Sequence, residues 1–367
     1  MNSLRQSLNS VSMRVMKKTK KLIFLTLLAA LSQNAWGLSD VTISGEGDLA
    51  LSYWQLPTRD QGVTAFSVPS LLLDIDLPLR EGNEFFVELQ NTEFRDATSK
   101  QYETGAREAY LSMTSFLPAR SEMRYGLIPD FWVELEREQW GYDFWGVNSY
   151  MPLIKYKYSS WSDLGLMYQG ELPDDWGQWS LSITNGEGLQ SEETGPRKQV
   201  QLILAMTKTA PFYAMVSYVQ GSYDNYDDSF NKKQRILLHM SYEFQKGLLA
   251  LEAYDTKDPA DAIQTEGMGG GVDVTDLHAT NVEGQGATLY GIVKLNEKSD
   301  LFLRADWLNP VKTNAQKFLQ DITAGVSYDM TDDIRWALAY EYTHYSDEFS
   351  DSARDQSLLT LATRVYF

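Results

Sequence analysis

From Val41 to the end of the chain, apolar and polar residues alternate with a period of two. Ile43, Gly45, Gly47, Leu49, Leu51 and Tyr53 share one side, while Thr42, Ser44, Glu46, Asp48 and Ser52 share the other. Successive side chains of an extended strand point to opposite faces, so the pattern describes strands with one wet face and one apolar face. It recurs in Leu71, Leu73, Ile75 and Leu77, in Trp179, Leu181 and Ile183, in Ile236, Leu238, Met240, Tyr242 and Phe244, and in Ile334, Trp336, Leu338, Tyr340 and Tyr342. Helical stretches longer than two turns are hard to find. About sixteen strands are expected, over 41–54, 66–78, 84–92, 105–115, 120–128, 160–170, 177–185, 197–208, 211–219, 233–245, 247–255, 285–295, 300–308, 319–329, 333–344 and 356–367.

The connections sort by parity. Short ones, such as those at Arg80-Glu81-Gly82, Pro173-Asp174-Asp175 and Gln245-Lys246, alternate with long polar ones at 55–65, 93–104, 129–159, 186–196, 220–232, 256–284, 309–318 and 345–355. Short turns at one end and long loops at the other describe an all-β, transmembrane antiparallel β-barrel with periplasmic turns and extracellular loops. A mean hydropathy of −0.35 fits, because a barrel hides its apolar half by alternation. The apolar run Leu22 to Leu31 is about half of the ~20 residues that a spanning helix needs. It follows Lys17, Lys18, Lys20 and Lys21 and precedes Ala35-Trp36-Gly37, the order of a secretory signal peptide. The expected division is a signal peptide at 1–37 and a barrel domain at 38–367. Segment 1–37 carries six basic residues and no acid, so the formal charge of −18 (32 basic, 50 acidic) becomes −24 after its removal (26 basic, 50 acidic). That balance argues against nucleic-acid binding, which requires basic surface. With no cysteine and three histidines, His239, His278 and His344, no soft-metal site or cofactor is expected.

Aromatics gather at strand ends, Phe116, Trp176, Trp179, Phe212, Phe244 and Tyr328 beside short turns and Tyr53, Trp54, Phe94, Tyr218, Trp307 and Tyr342 at the opposite ends, as interfacial girdles require. The final strand closes on Val365-Tyr366-Phe367. A terminal Phe with apolar residues at alternate positions resembles the signal by which assembly machinery recognises outer-membrane barrels, which assigns that role to Phe367 and Val365. The stretch Arg124-Tyr125-Gly126-Leu127-Ile128-Pro129-Asp130-Phe131-Trp132, with Glu134, Trp140-Gly141-Tyr142 and Phe144 after it, resembles the strand entering the third loop of Gram-negative porins. Ile183-Thr184-Asn185-Gly186-Glu187-Gly188 resembles a porin strand-end motif that also occurs in the phosphate-selective O and P group. The Pro-Glu-Phe-Gly-Gly form of the enterobacterial third loop is absent, so the subfamily and its solute preference stay open. The resemblance implies an outer-membrane location in contact with lipid and lipopolysaccharide, a homotrimer, and a third loop folded into the lumen.

The expected function is passive diffusion of ions and small hydrophilic solutes through a water-filled channel, because sixteen strands enclose a lumen too wide for side chains to fill. The loops 129–159 and 256–284 are the candidates to narrow it, and the third suits a constriction better. It carries Asp130, Glu134, Glu136, Glu138 and Asp143 among aromatics, while strand parity turns Arg124, Arg235, Lys294, Arg304, Arg335 and Arg364 into the lumen. Acids facing cations across a narrow gap make a transverse field. Further lumen-facing acids, Glu46, Asp74, Asp76, Glu84 and Glu122 among them, give a weak cation preference. The alternatives are a substrate-specific channel for anions, phosphate or sugars, an outer-membrane hydrolase using His239, and a secreted β-rich glycosidase using Glu134 and Glu138. No nucleophile, base or phosphate-cradling motif supports an enzyme.

Overall fold

The computed structural model describes residues 41–55, 62–95, 100–186, 188, 196–206, 211–223, 231–350 and 353–367. The expected signal peptide lies outside these residues. Seventeen described strands form one antiparallel sheet: β1 (Thr42–Gln55), β2 (Val63–Ser67), β3 (Ser70–Pro78), β4 (Glu84–Arg95), β5 (Lys100–Met113), β6 (Ser121–Pro129), β7 (Ser162–Glu171), β8 (Gly177–Thr184), β9 (Gln199–Met206), β10 (Phe212–Gly221), β11 (Lys233–Phe244), β12 (Gly247–Pro259), β13 (Asn281–Asn296), β14 (Ser299–Asn309), β15 (Leu319–Thr331), β16 (Ile334–Tyr345) and β17 (Gln356–Tyr366). Pro69 has no N–H to give the ladder and separates β2 from β3, which together make one crossing. The result is a closed barrel of sixteen antiparallel strands.

Closure joins β17 to β1 through pairs such as Ala362 with Ala50 and Arg364 with Asp48. At the end of that seam Gly45 N–H donates to the Phe367 carbonyl (2.9 Å) and Phe367 N–H donates to the Gly45 carbonyl (3.1 Å). A Cβ on residue 45 would lie 2.8 Å from the Phe367 ring, so this glycine makes room for the last side chain. Val365 sits beside it, opposite Gly47 and Ile334.

The outer wall is apolar. Phe66 (76% exposed), Leu164, Ile183, Leu204, Val216, Leu238, Leu251, Leu303, Ile322 and Leu361 all face away from the lumen with large exposed areas. Phe116, Trp176, Phe212, Phe244 and Tyr328 are exposed near the short-turn end, and Tyr53, Tyr218 and Tyr342 near the other. Trp54 departs from its expected place in a girdle, because strand parity turns it inward, where it lines a cavity. Strand order and parity agree with the period-two reading, but two loops are shorter than expected. The ladder between β4 and β5 runs on to Arg95 opposite Lys100, and that between β12 and β13 to Pro259 opposite Asn281. Both extensions are polar, so hydrophobic alternation is silent there while backbone pairing continues.

Among the described residues, three α-helices interrupt the loops: α1 (Phe131–Trp140) and α2 (Pro152–Lys155) in the third, and α3 (Ala260–Glu266) in the sixth. The third loop folds into the lumen. Two buried apolar clusters form there, one joining Phe131, Trp132, Leu153 and Tyr156 to Ile203, Met215, Leu237 and sixth-loop residues, the other joining Trp140, Tyr142, Phe144 and Trp145 to Tyr290 and Phe302. Loop residues thus pack against one side of a lumen that the wall side chains alone leave open.

Candidate functional site: a lumen narrowed by the third loop

The loop enters the barrel through a well-capped helix. Asp130 stands at the N-cap of α1, where its Oδ1 accepts from Trp132 N–H (2.9 Å) and its Oδ2 from the Ser159 hydroxyl (2.5 Å). Gly141 ends the helix in the left-handed region (φ 66°), and its N–H donates to the Arg137 carbonyl. This is ordinary helix punctuation, an acidic cap before and a glycine after. One face of α1 buries Phe131, Trp132, Val133, Glu136 and Trp140, and Glu138 is exposed on the other.

The wall is shaped to receive the aromatics. Ala50, Ala337 and Ala362 lie side by side on β1, β16 and β17, all buried, and Ala250 and Ala339 belong to the same cluster. Small side chains leave depth for the loop's large rings. Trp140 meets Tyr290 and Phe302 edge-on at 5.3 and 5.9 Å, and Tyr142 stacks on Phe302 at 4.2 Å. The Tyr142 hydroxyl donates to Asp300 (2.9 Å) and lies 3.1 Å from the Ser327 hydroxyl.

Most of the arginines expected across a gap hold the loop or a neighbouring acid directly. Arg364 donates to Asp48 (2.8 Å) and to Asp143 (2.8 Å), with its guanidinium over the Phe144 ring. Arg304, fully buried, donates to the carbonyls of Asn148, Ser149 and Tyr150 and lies 3.1 Å from Asp306. Arg235 donates to the Tyr158 carbonyl (3.0 Å) and to Asp258 (2.7 Å). Arg124 joins Glu122 (2.8 Å) to Glu134 (3.3 Å). Arg335 pairs with Asp329 (2.6 Å) at the rim, and Lys294 is exposed there without contact to the loop.

The five loop acids thus divide. Asp130 is a cap. Asp143 is clamped between Arg137 and Arg364: burial raises its affinity for a proton, but the two guanidiniums outweigh that and hold it below the usual carboxylate range. Glu136 is 0% exposed, turned into the wall beside Glu252. Glu134 is part-exposed and Glu138 exposed, while Asp130 is part-exposed at the edge of the loop-side cavity.

Lys155, Arg107 and His239 also matter, though strand parity or loop composition did not single them out as wall or loop contacts. Lys155 is buried between Asp321 and Glu341 (2.9 Å), an ion triad that ties the returning leg of the loop to β15 and β16. Those two acids outweigh the cost of burial and keep its ammonium charged. Arg107 is the extra residue of a bulge, where Glu88 pairs with Glu108 but Leu89 with Ala106. The bulge breaks the alternation and turns Arg107 inward to Glu88 and over the Trp161 ring (5.0 Å).

Water access inside the barrel is concentrated in two places. On the wall side, Glu46, Asp74, Asp76, Glu84 and Glu122 face Glu134 and Glu138 of α1, seven carboxylates with four guanidiniums, Arg107, Arg124, Arg137 and Arg364, beside them. On the loop side, a cavity of about 730 Å³ is lined by Trp54, Trp145, Tyr150 and Trp161 with Gln90, Asn148, Gln199 and Lys157.

No protein-family model matches the chain, and no curated protein sequence does. Solved structures share its fold. OmpF of Salmonella typhi, in complex with daunomycin, superposes with a TM-score of 0.62 at 12% identity over 89% of this chain and 97% of that one. An anion-selective porin from Comamonas acidovorans gives 0.61 at 13% identity over 89% and 99%. OmpT, an outer membrane protein of Vibrio cholerae, in a trimer form, gives 0.60 at 12% identity over 89% and 99%. At such identities the likeness is one of architecture, a sixteen-stranded antiparallel barrel of the kind that outer-membrane porins adopt.

Proposed function

We propose that the chain is an outer-membrane porin of the general, diffusive kind, a channel for ions and small hydrophilic solutes with a weak preference for cations. The observation that carries this reading is the combination of an apolar outer wall with a polar interior crossed by an inward loop, which makes sense only with lipid outside and water inside. Cation preference follows from the acidic balance around α1: fixed carboxylates in a narrow, partly desolvated passage raise the local concentration of cations and repel anions. The arginines do not cancel this, since the carboxylates outnumber them in that row and Glu138 stays exposed. An anion-selective relative in architecture does not decide the sign, which belongs to each chain's own lumen charges.

Export through the 1–37 segment, insertion guided by Val365 and Phe367, contact with lipopolysaccharide and assembly as a homotrimer complete the proposal. Liposome swelling tests the central part. Vesicles holding the folded protein should admit arabinose and glucose, fall off steeply towards trisaccharides, and show no admission with heat-denatured protein. Vesicles that stay tight to the smallest sugars and to salt would refute a diffusive channel.

A further inference from the structure

Between α1 and the wall lies a group of buried carboxylates to which no neighbouring group donates a hydrogen bond among the described residues. Glu136 of α1 and Glu252 of β12 are both 0% exposed and meet carboxyl to carboxyl. None of their four oxygens has a hydrogen-bond donor among the described residues. His239 of β11, also 0% exposed, has Nε2 3.0 Å from the Gln139 side-chain oxygen. Its Nδ1 lies 3.8 Å from Glu252 and has no hydrogen-bond partner among the described residues. A buried carboxylate without a donor is costly, and two side by side in a dry site do not both stay ionised. A proton on Glu136 supplies the missing donor to Glu252.

We propose that this proton is a latch: it fastens the third-loop helix to the barrel wall, so the loop docks as the lumen acidifies and loosens as the lumen turns alkaline. The surrounding charges leave the role to the pair. Arg304 of β14 is occupied by three loop carbonyls and Asp306. Arg137, on the same helix, is held by Asp143 and Glu46. Asp130 is satisfied at the cap, and Tyr213, Tyr254 and Tyr290, from β10, β12 and β13, complete the titratable side chains packed around the site. Burial first, and Glu252 second, push the Glu136 carboxyl well above the ordinary glutamate range. The sign follows. A group whose docked affinity for the proton exceeds its released affinity favours docking below the ordinary glutamate range, and that contribution is lost as pH rises through the docked value. The latch stands whether or not the barrel is a diffusive channel; only its effect on permeation rests on that reading.

Hydrogen exchange of the 131–140 amides in the detergent-folded, full-length barrel tests it between pH 6 and 10. After correction for base-catalysed intrinsic exchange, protection should fall by up to about tenfold per pH unit, the slope of one released proton. Glu136→Gln and Glu252→Gln each supply a permanent donor and should flatten the profile. A flat profile in the original protein, or an undiminished slope in both variants, would overturn the latch. If Glu136→Gln fails the heat-modifiable gel shift of a folded barrel, the wall variant Glu252→Gln and the original profile decide.

Discussion

Asp143 and Glu136 lie seven residues apart in one loop and respond to pH in opposite directions. Two bonded guanidiniums hold Asp143 below the ordinary range, so its contribution to docking is complete above that range and is lost only as pH falls towards its depressed value. Above the ordinary carboxylate range Asp143 is silent, and Glu136 is the group whose proton burial and Glu252 retain. Asp143→Asn should nevertheless be severe, because it takes from Arg137 and Arg364 the buried carboxylate they share and leaves them only the β1 acids Glu46 and Asp48, at a cost of up to about 3–5 kcal/mol. The heat-modifiable transition should shift to clearly lower temperature, by more than in Asp130→Ala, where loss of the helix cap costs about 1 kcal/mol. Equal shifts in the two variants would contradict the clamp. None of this was legible from charge alone. Composition marks both residues as loop acids, and only their partners, an arginine pair in one case and a second glutamate in the other, separate a structural ion from a proton site.

Among the elements, the strands were readable because an amphipathic strand writes its two environments directly into alternate positions. The reading fails where the backbone or the environment departs from that rule. The bulge at Arg107 inverts one residue, and the polar extensions of β4, β5, β12 and β13 keep pairing without any hydrophobic signal. The site was legible as a region, since an acidic and aromatic 130–146 segment had to meet a wall carrying arginines. The contacts were not, because how deeply a loop sinks depends on wall side chains far away in sequence. The alanines of β1, β16 and β17 set that depth. Ala362→Leu should push Phe144 and its neighbours out of their seats at a cost of about 1–3 kcal/mol for overpacking. The measurable outcome is faster exchange of the loop amides with strand protection retained. Unchanged loop protection would mean that the alanine floor does not seat the loop.

For the whole molecule, the asymmetry of the lumen is what matters. One side is packed with loop aromatics and buried ion pairs, while the other keeps water beside a row of carboxylates. Glu134 and Glu138 are the loop's contribution to that row, and neither belongs to the buried packing, so Glu138→Gln and the double change with Glu134→Gln should reduce cation preference stepwise while the barrel stays folded. The most direct test is the reversal potential of single channels in a planar bilayer under a tenfold potassium chloride gradient. The expected result is a stable conductance with the dilute side positive, as a modest excess of potassium flux requires, moving towards zero in the double variant. A reversal potential of anion-selective sign, or no conductance from barrels shown to be folded, would contradict the account.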